Sequence, residues 1–215
     1  MKKYILAEIL GTFIIVFIGT GAMVLDESSP GVLSHLGVCL IWGAAVAAAI
    51  LSAGSLAESH FNPAVTLALV FAGKFSAKRS IEHIAAQIFG AIAASTSLYL
   101  IHPQNSTLGS TLPEVTPWNA AAIEVLISFF LMASIAFSEI LKIERKIIVA
   151  SVIGCVVTLM AYFAGPLTGA SMNPARSIGP ALISGHTEYL FLYLIAPILG
   201  MILAVPLYKL KRESN

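Results

Sequence analysis

Six apolar runs, each near twenty residues long, constrain this chain more than any other feature. They lie at roughly 4–25, 34–56, 80–101, 118–138, 146–165 and 188–208. An α-helix needs about 20 apolar residues to cross a ~30 Å hydrocarbon core. Lipid offers no water to open backbone N–H and C=O groups, so only helices and closed barrels span it. The chain is 58% hydrophobic and 11% charged, against roughly 25% charge in a soluble domain. The expectation is an all-α membrane protein in a lipid bilayer, one domain over 1–215. A net charge of +1 with no basic helix face leaves no footprint for nucleic acid. Lys2 and Lys3 before the first run imitate a secretory leader. That run reaches about Leu25 and carries Glu8, so it reads as the first span.

The cations set the orientation. Lys2 and Lys3, then Lys74, Lys78 and Arg79, then Lys142, Arg145 and Lys146, then Lys209, Lys211 and Arg212 fall on one side of a six-span chain. Positive loops stay cytoplasmic, so both termini are expected there, in a bacterial-type plasma (inner) membrane. The opposite loops hold Asp26 and Glu27, and no Lys or Arg over 102–117. Asn105-Ser106-Thr107 on that side matches a glycosylation acceptor, a weak three-residue pattern. Arg176 is the one cation on the wrong side, and a misplaced charge in a membrane protein is a functional candidate.

Arg176 follows the second of two Asn-Pro-Ala triplets, Asn62-Pro63-Ala64 and Asn173-Pro174-Ala175. Asn is a favoured helix N-cap and Pro fits the first helical position. The cap uses the amide oxygen and leaves the NH2 donors free. From Asn62 to Gly73, and from Asn173 to about Ser184, each apolar segment is too short to span. Two such half-helices entering from opposite sides would meet near the midplane. The backbone before them, 54–61 and 165–172, is expected to be non-helical and to line a water-filled path or be buried in protein. The pattern repeats: Glu8 early in span 1 matches Glu124 early in span 4. The halves, about 1–105 and 115–215, carry three spans each and so run in opposite directions, which puts a site at the midplane between them.

Together, 60–66 and 169–177 with the six spans resemble the aquaporin, or major intrinsic protein, family. The stretch 164–172 looks most like its nodulin-like branch and bacterial relatives. The resemblance implies six transmembrane helices plus two re-entrant half-helices in an inverted repeat, a pore in every subunit and a homotetramer. It also implies a four-residue outer selectivity filter. Counted without gaps, this falls on Trp42, Ala161, Ala170 and Arg176; a one-residue slip would put Met160 or Tyr162 in place of Ala161. Strict water channels of the family usually have Phe, His, a small residue and Arg, so Trp and two Ala suggest a wider, more apolar gate. Ser177, where glycerol facilitators usually carry Asp, counts against a dedicated glycerol channel. Glu8 and Glu124 are implied to hold the motif loops, with His60 in the first loop's hydrogen-bond scaffold.

Other residues keep alternatives. Glu58 stands where the family usually has Gly; it could attract cations, act as a pH-sensitive gate, or form a salt bridge to the 74–79 cluster, the reading put first. Trp42 could also be an interfacial anchor. The alanines of 44–49 read as close helix packing. His35, His83, His102 and His186 read as interfacial, and Cys39 and Cys155 as small apolar packing residues. No Cys/His cluster has metal-ligand spacing, and no metal or cofactor is expected. The function expected is a passive channel for water and small uncharged solutes, among them glycerol, urea and neutral metalloid acids, that excludes protons and ions. A water-selective channel is the runner-up. A coupled secondary transporter is the reading from another class, with Glu58 its only eccentric titratable group. An enzyme is not expected, since the polar residues form no nucleophile–base pair.

Overall fold

The computed structural model describes residues 2–212, with side chains through residue 208. The side chains of Lys209, Lys211 and Arg212 therefore lie outside the described residues. Eight α-helices follow one another: α1 (Lys3–Ser28), α2 (His35–Leu51), α3 (Pro63–Phe71), α4 (Ala77–Ile101), α5 (Pro117–Ile140), α6 (Lys146–Thr168), α7 (Pro174–Ser184) and α8 (Leu190–Ala204). Short 3-10 segments, Ala53–Ser55 and Val205–Arg212, follow α2 and α8. With these extensions, six helices are long and apolar enough to cross a membrane. The other two, α3 and α7, have 9 and 11 residues. At 1.5 Å per residue they measure about 14 and about 17 Å, together about one bilayer core.

Side-chain caps set several starts. Ser34 accepts from Gly37 N at 3.1 Å, and Thr116 accepts from Asn119 N at 3.4 Å with Pro117 in the first turn. The end of α6 departs from expectation. Helix α6 runs on to Thr168, so the non-helical stretch expected to begin at residue 165 begins only at Gly169. Pro166 sits inside the helix, where its missing N–H leaves the Tyr162 carbonyl without its usual intrahelical partner. The His35 ring Nε2 donates to that carbonyl at 2.9 Å. Helix α6 then ends on Gly169, in the left-handed conformation that glycine adopts freely.

Packing repeats between the halves. Helix α1 lies against α2 and α4 as α5 lies against α6 and α8, while α2 and α6 pack on each other across the halves. Each half-helix also rests on the other half, α3 on α8 and α7 on α4. Glycines allow the closest crossings. A Cβ added at Gly154 would sit 2.7 Å from the Gly43 carbonyl oxygen, and one at Gly90 would sit 2.5 Å from Ile9 O. A Cβ at Gly200, matching Gly90 in the other half, would overlap the Val125 carbonyl. Small residues suit this role because helices bathed in lipid associate through close packing and interhelical hydrogen bonds.

The exterior is apolar and the interior partly polar. Leu100, Phe163 and Phe191 are exposed, whereas Glu8, Gln87, Glu124 and Arg176 are buried. His83 is a correction to the sequence reading: expected at an interface, it is fully buried, because α4 begins at Ala77 and carries it inward past the first turn. Of the cysteines, Cys39 is buried and Cys155 faces outward, so only Cys39 is an internal packing residue. The loop cations gather at one end. There Lys2 pairs with Glu82 at 2.9 Å, Lys74 with Glu139, and Lys146 donates to Ser55 Oγ at 2.8 Å. At the opposite end Glu27 accepts from Asn105 and Thr107 at 2.9 and 2.7 Å.

Gly200→Ala is expected to lower unfolding stability in detergent by about 1–3 kcal/mol, the usual cost of overpacking. Leu199→Ala, on the exposed face of the same helix, should stay within about 0.5 kcal/mol. Thermal unfolding of both variants checks the pair.

Candidate functional site

The two half-helices start in the same way. Asn62 and Asn173 adopt extended N-cap backbones, and their Oδ1 atoms accept from Ala64 N and Ala175 N at 2.9 and 3.0 Å. Pro63 and Pro174 occupy the first helical turn. The amide nitrogens are not both left free, as the sequence reading had them. Asn62 Nδ2 donates to Met172 O at 2.8 Å, and Asn173 Nδ2 donates to Phe61 O at 2.9 Å. An amide nitrogen has two hydrogens, so each Asn uses one to tie the halves together. The other remains for the cavity that both residues line.

The acceptors of those bonds are strained. Phe61 and Met172 hold φ at 58° and 52°, a left-handed conformation that costs a side-chain-bearing residue roughly 1–2 kcal/mol. A buried carboxylate stabilises each. Glu8 accepts from His60 N at 2.6 Å, Phe61 N at 2.7 Å and Gln87 Nε2 at 2.9 Å. Glu124 accepts from Ser171 N and Thr168 Oγ1 at 2.8 Å and from Met172 N at 3.0 Å. The scaffold extends beyond the residues read from sequence. Gln87 also donates to Thr66 Oγ1 at 3.0 Å, and Tyr193 Oη donates to Thr168 O at 2.6 Å. Gln87 and Tyr193 carried a usable sign, a polar group inside an apolar span.

A single cavity of about 900 Å³ reaches from Asp26 and Glu27 at one end to Ser55, Glu58 and Lys146 at the other, passing both Asn residues. Trp42, Ala161, Ala170 and Arg176 all line it. Trp42 is 8% exposed, which sets aside the interfacial-anchor alternative. Gly19 makes room for it, since a Cβ there would overlap the indole. Ala161, and neither Met160 nor Tyr162, contributes to the lining at that turn of α6. Arg176 is 1% exposed. Its Nη1 donates to Gly109 O at 2.7 Å, and its guanidinium lies 4.7 Å from the centre of the Trp42 ring, in range for a cation–π attraction. Its Nη2 lies 3.3 Å from Met23 Sδ, a cavity-lining contact that composition alone did not mark. At the basic end, Glu58 lies 3.3 Å from Arg79. His60 directs its ring Nδ1 at Thr66 Oγ1, 3.1 Å away.

Glu124→Gln turns an acceptor pair into one acceptor and one donor, and so sets an N–H against an N–H. The variant is expected to lose about 1–3 kcal/mol of stability, the cost of leaving a buried donor unmade. Glu8→Gln should lose a similar amount. Chemical unfolding in detergent measures both.

The chain matches the family described as "Major intrinsic protein" over residues 1–208. It is 37% identical over 221 residues to "Aquaporin NIP1-2" of Oryza sativa subsp. japonica, covering 98% of this chain and 72% of the rice protein. It is 33% identical over 214 residues to "Nodulin-26" of Glycine max, covering 98% and 78%. Among solved structures, the aquaglyceroporin of Plasmodium falciparum superposes with a TM-score of 0.85 at 23% identity, covering 96% of this chain and 94% of that one. The shared fold, the two Asn-capped half-helices and the full-length match agree: this chain belongs to the major intrinsic protein, or aquaporin, family.

Proposed function

We propose that this integral, multi-pass membrane protein is a passive channel for water and small uncharged solutes, formed by the whole chain as one domain of two inverted halves. The observation that carries this is the continuous cavity, with both half-helix N-termini at its middle and Arg176 toward its acidic end. Each helix N-terminus contributes roughly +0.5 charge, and Arg176 adds a full one. A cation or proton entering the path meets that field with little water around it. A neutral hydroxylic molecule instead trades hydrogen bonds with the free hydrogens of Asn62 and Asn173 and with Arg176. The apolar wall formed by Val65, Leu131 and Val157 offers it few competing sites.

The solute range is proposed to include glycerol, urea and neutral metalloid acids such as arsenite or boric acid. Two alanines, Ala161 and Ala170, line the same cavity as Arg176, and the relatives named as nodulin and NIP-type aquaporins lend support. A water-selective channel is the second reading. It rests on Met23, whose flexible thioether lies against Arg176 and lines the same cavity, where a long side chain offsets the space that small residues leave. Coupled transport has less support, since Glu58 is paired with Arg79 rather than left to bind an ion. The same proposal puts the basic end and both termini in the cytoplasm of a bacterial-type cell, takes four copies to make the assembly, and assigns the pore no catalysis.

Stopped-flow light scattering on proteoliposomes tests the reading. Rapid shrinkage in an impermeant osmolyte, followed by rapid reswelling in glycerol, is expected; shrinkage alone would favour the water-selective channel, and neither would reject a pore. Ala161→His should cut glycerol and urea flux at least about tenfold, equivalent to ~1.4 kcal/mol on a barrier, while water flux persists. Unchanged glycerol flux would remove Ala161 from the gate.

A further inference from the structure

Glu8, His60 and His83 meet near the basic end of the cavity from three separate elements: α1, the loop before α3, and α4. One ligand-type atom from each lies within 4.8 Å of the other two. The surrounding hydrogen bonds fix the protons. His83 Nδ1 is 3.0 Å from the Arg79 carbonyl, which can only accept, so Nδ1 carries the hydrogen. In the neutral ring Nε2 is then a bare lone pair. That atom is buried, has no hydrogen-bond partner, and lies 3.8 Å from Glu8 Oε1. At His60, Thr66 sends its hydroxyl proton to Asn62 O at 3.0 Å and accepts from Gln87. His60 Nδ1 therefore donates to the same oxygen, and its Nε2 is a lone pair too. Glu8 Oε2 is filled by Phe61 N and Gln87 Nε2, but Oε1 accepts only from His60 N. A carboxylate oxygen and the nitrogen of a neutral imidazole thus face each other in a buried site, acceptor against acceptor.

We propose that Glu8, His60 and His83 form a binding site for a first-row divalent transition metal, Zn²⁺ or Ni²⁺ rather than Ca²⁺ or Mg²⁺. Two imidazoles and a carboxylate suit those ions, whereas Ca²⁺ and Mg²⁺ take oxygen ligands. Both rings already make the outer hydrogen bond that metal-ligating histidines make, to Arg79 O and to Thr66 Oγ1. The surrounding shell is aromatic: Tyr4 stacks on His83 with centroids 4.9 Å apart, and Phe75 meets His83 and His60 edge-on at 4.7 and 4.6 Å. His60 lines the cavity and gives an ion access from the basic mouth. Zn–N and Zn–O bonds are about 2.0–2.2 Å, so binding draws the three groups inward. The matching place in the other half is different. Tyr193, four residues before Pro197 as His83 is before Gln87, donates there to Thr168 O, and Glu124 meets only donors. The site therefore belongs to the first half alone, and tyrosine is the natural replacement for His83.

The test reads metal binding and stands apart from any solute flux. Untagged protein in detergent is titrated with Zn²⁺ against a chromogenic chelator. One Zn²⁺ per chain is expected, with His83→Tyr weakening it by more than about 100-fold, beyond the loss that an outer-shell change alone brings. A His35→Gln/Cys39→Ala variant removes a separate His–Cys contact, on α2 and outside the site, and should bind as the parent does. The metal-free unfolding temperature shows whether His83→Tyr is folded. Should it fail to fold, the Co²⁺ absorption spectrum of the parent protein decides: ligand-field bands without thiolate charge transfer are expected. Absence of stoichiometric Zn²⁺, binding that survives in folded His83→Tyr, binding lost with the His35/Cys39 pair, or a thiolate band would each overturn the site.

Discussion

A reciprocal exchange of hydrogen bonds at the middle of the molecule holds the site together. Asn62 reaches the carbonyl of Met172 while Asn173 reaches that of Phe61. Both carbonyls belong to residues forced into left-handed backbone, and both of those residues donate their N–H to a buried carboxylate, Glu8 or Glu124. Each element of the exchange is unfavourable alone. An isolated buried carboxylate is costly to desolvate, and a left-handed Phe or Met is strained. Combined, the carboxylate gains donors, the strained turn gains an anchor, and the free edge of each asparagine is fixed with respect to the passage. The consequence is positional precision in a stretch of backbone that no helix or sheet constrains.

The acidic end of the passage solves a different problem. A guanidinium that is nearly fully buried requires compensation, and Arg176 receives it from the Gly109 carbonyl, the face of Trp42 and the Met23 thioether. Trp42 in turn lies over Gly19, so the aperture is set partly by a residue that never touches a solute. Ala161 and Ala170, in the lining of the same cavity, add space without adding polarity. Charge is thereby presented with little other polarity beside it, and under the proposed function this is how the passage would discriminate by sign and by width.

Much of this was legible in the chain. Apolar run length identified the spans, because the bilayer imposes it, and the Asn-Pro pairs identified two helix starts, because capping is local chemistry. A gapless count back from Asn62 and Asn173, which the family resemblance suggested, reached Trp42 and Ala161, and both line the cavity. The sequence signs failed where geometry joins residues far apart in the chain. The stretch from residue 165 read as non-helical, yet α6 continues to Thr168, and His35 in another helix hydrogen-bonds the carbonyl that Pro166 leaves without its partner. His83 looked interfacial because it lies close to a charged loop, whereas the early start of α4 carries it inside. Metal-ligand spacing is sought within one local segment, so a grouping drawn from positions 8, 60 and 83 has no spacing to find. Met23 and Gly109 become visible only once Arg176 has a direction.

The way each half-helix rests on the opposite half bears on how the chain is made. Helix α3 packs on α8, the last of the eight helices, and Asn62 waits for the carbonyl of Met172. When residues 63–71 first leave the ribosome, neither partner has been synthesised. The segment is too short to be held by lipid alone, so its settled depth comes late. Insertion of the first half is therefore provisional until the second arrives, and a chain cut short before α8 would leave its first motif without a seat.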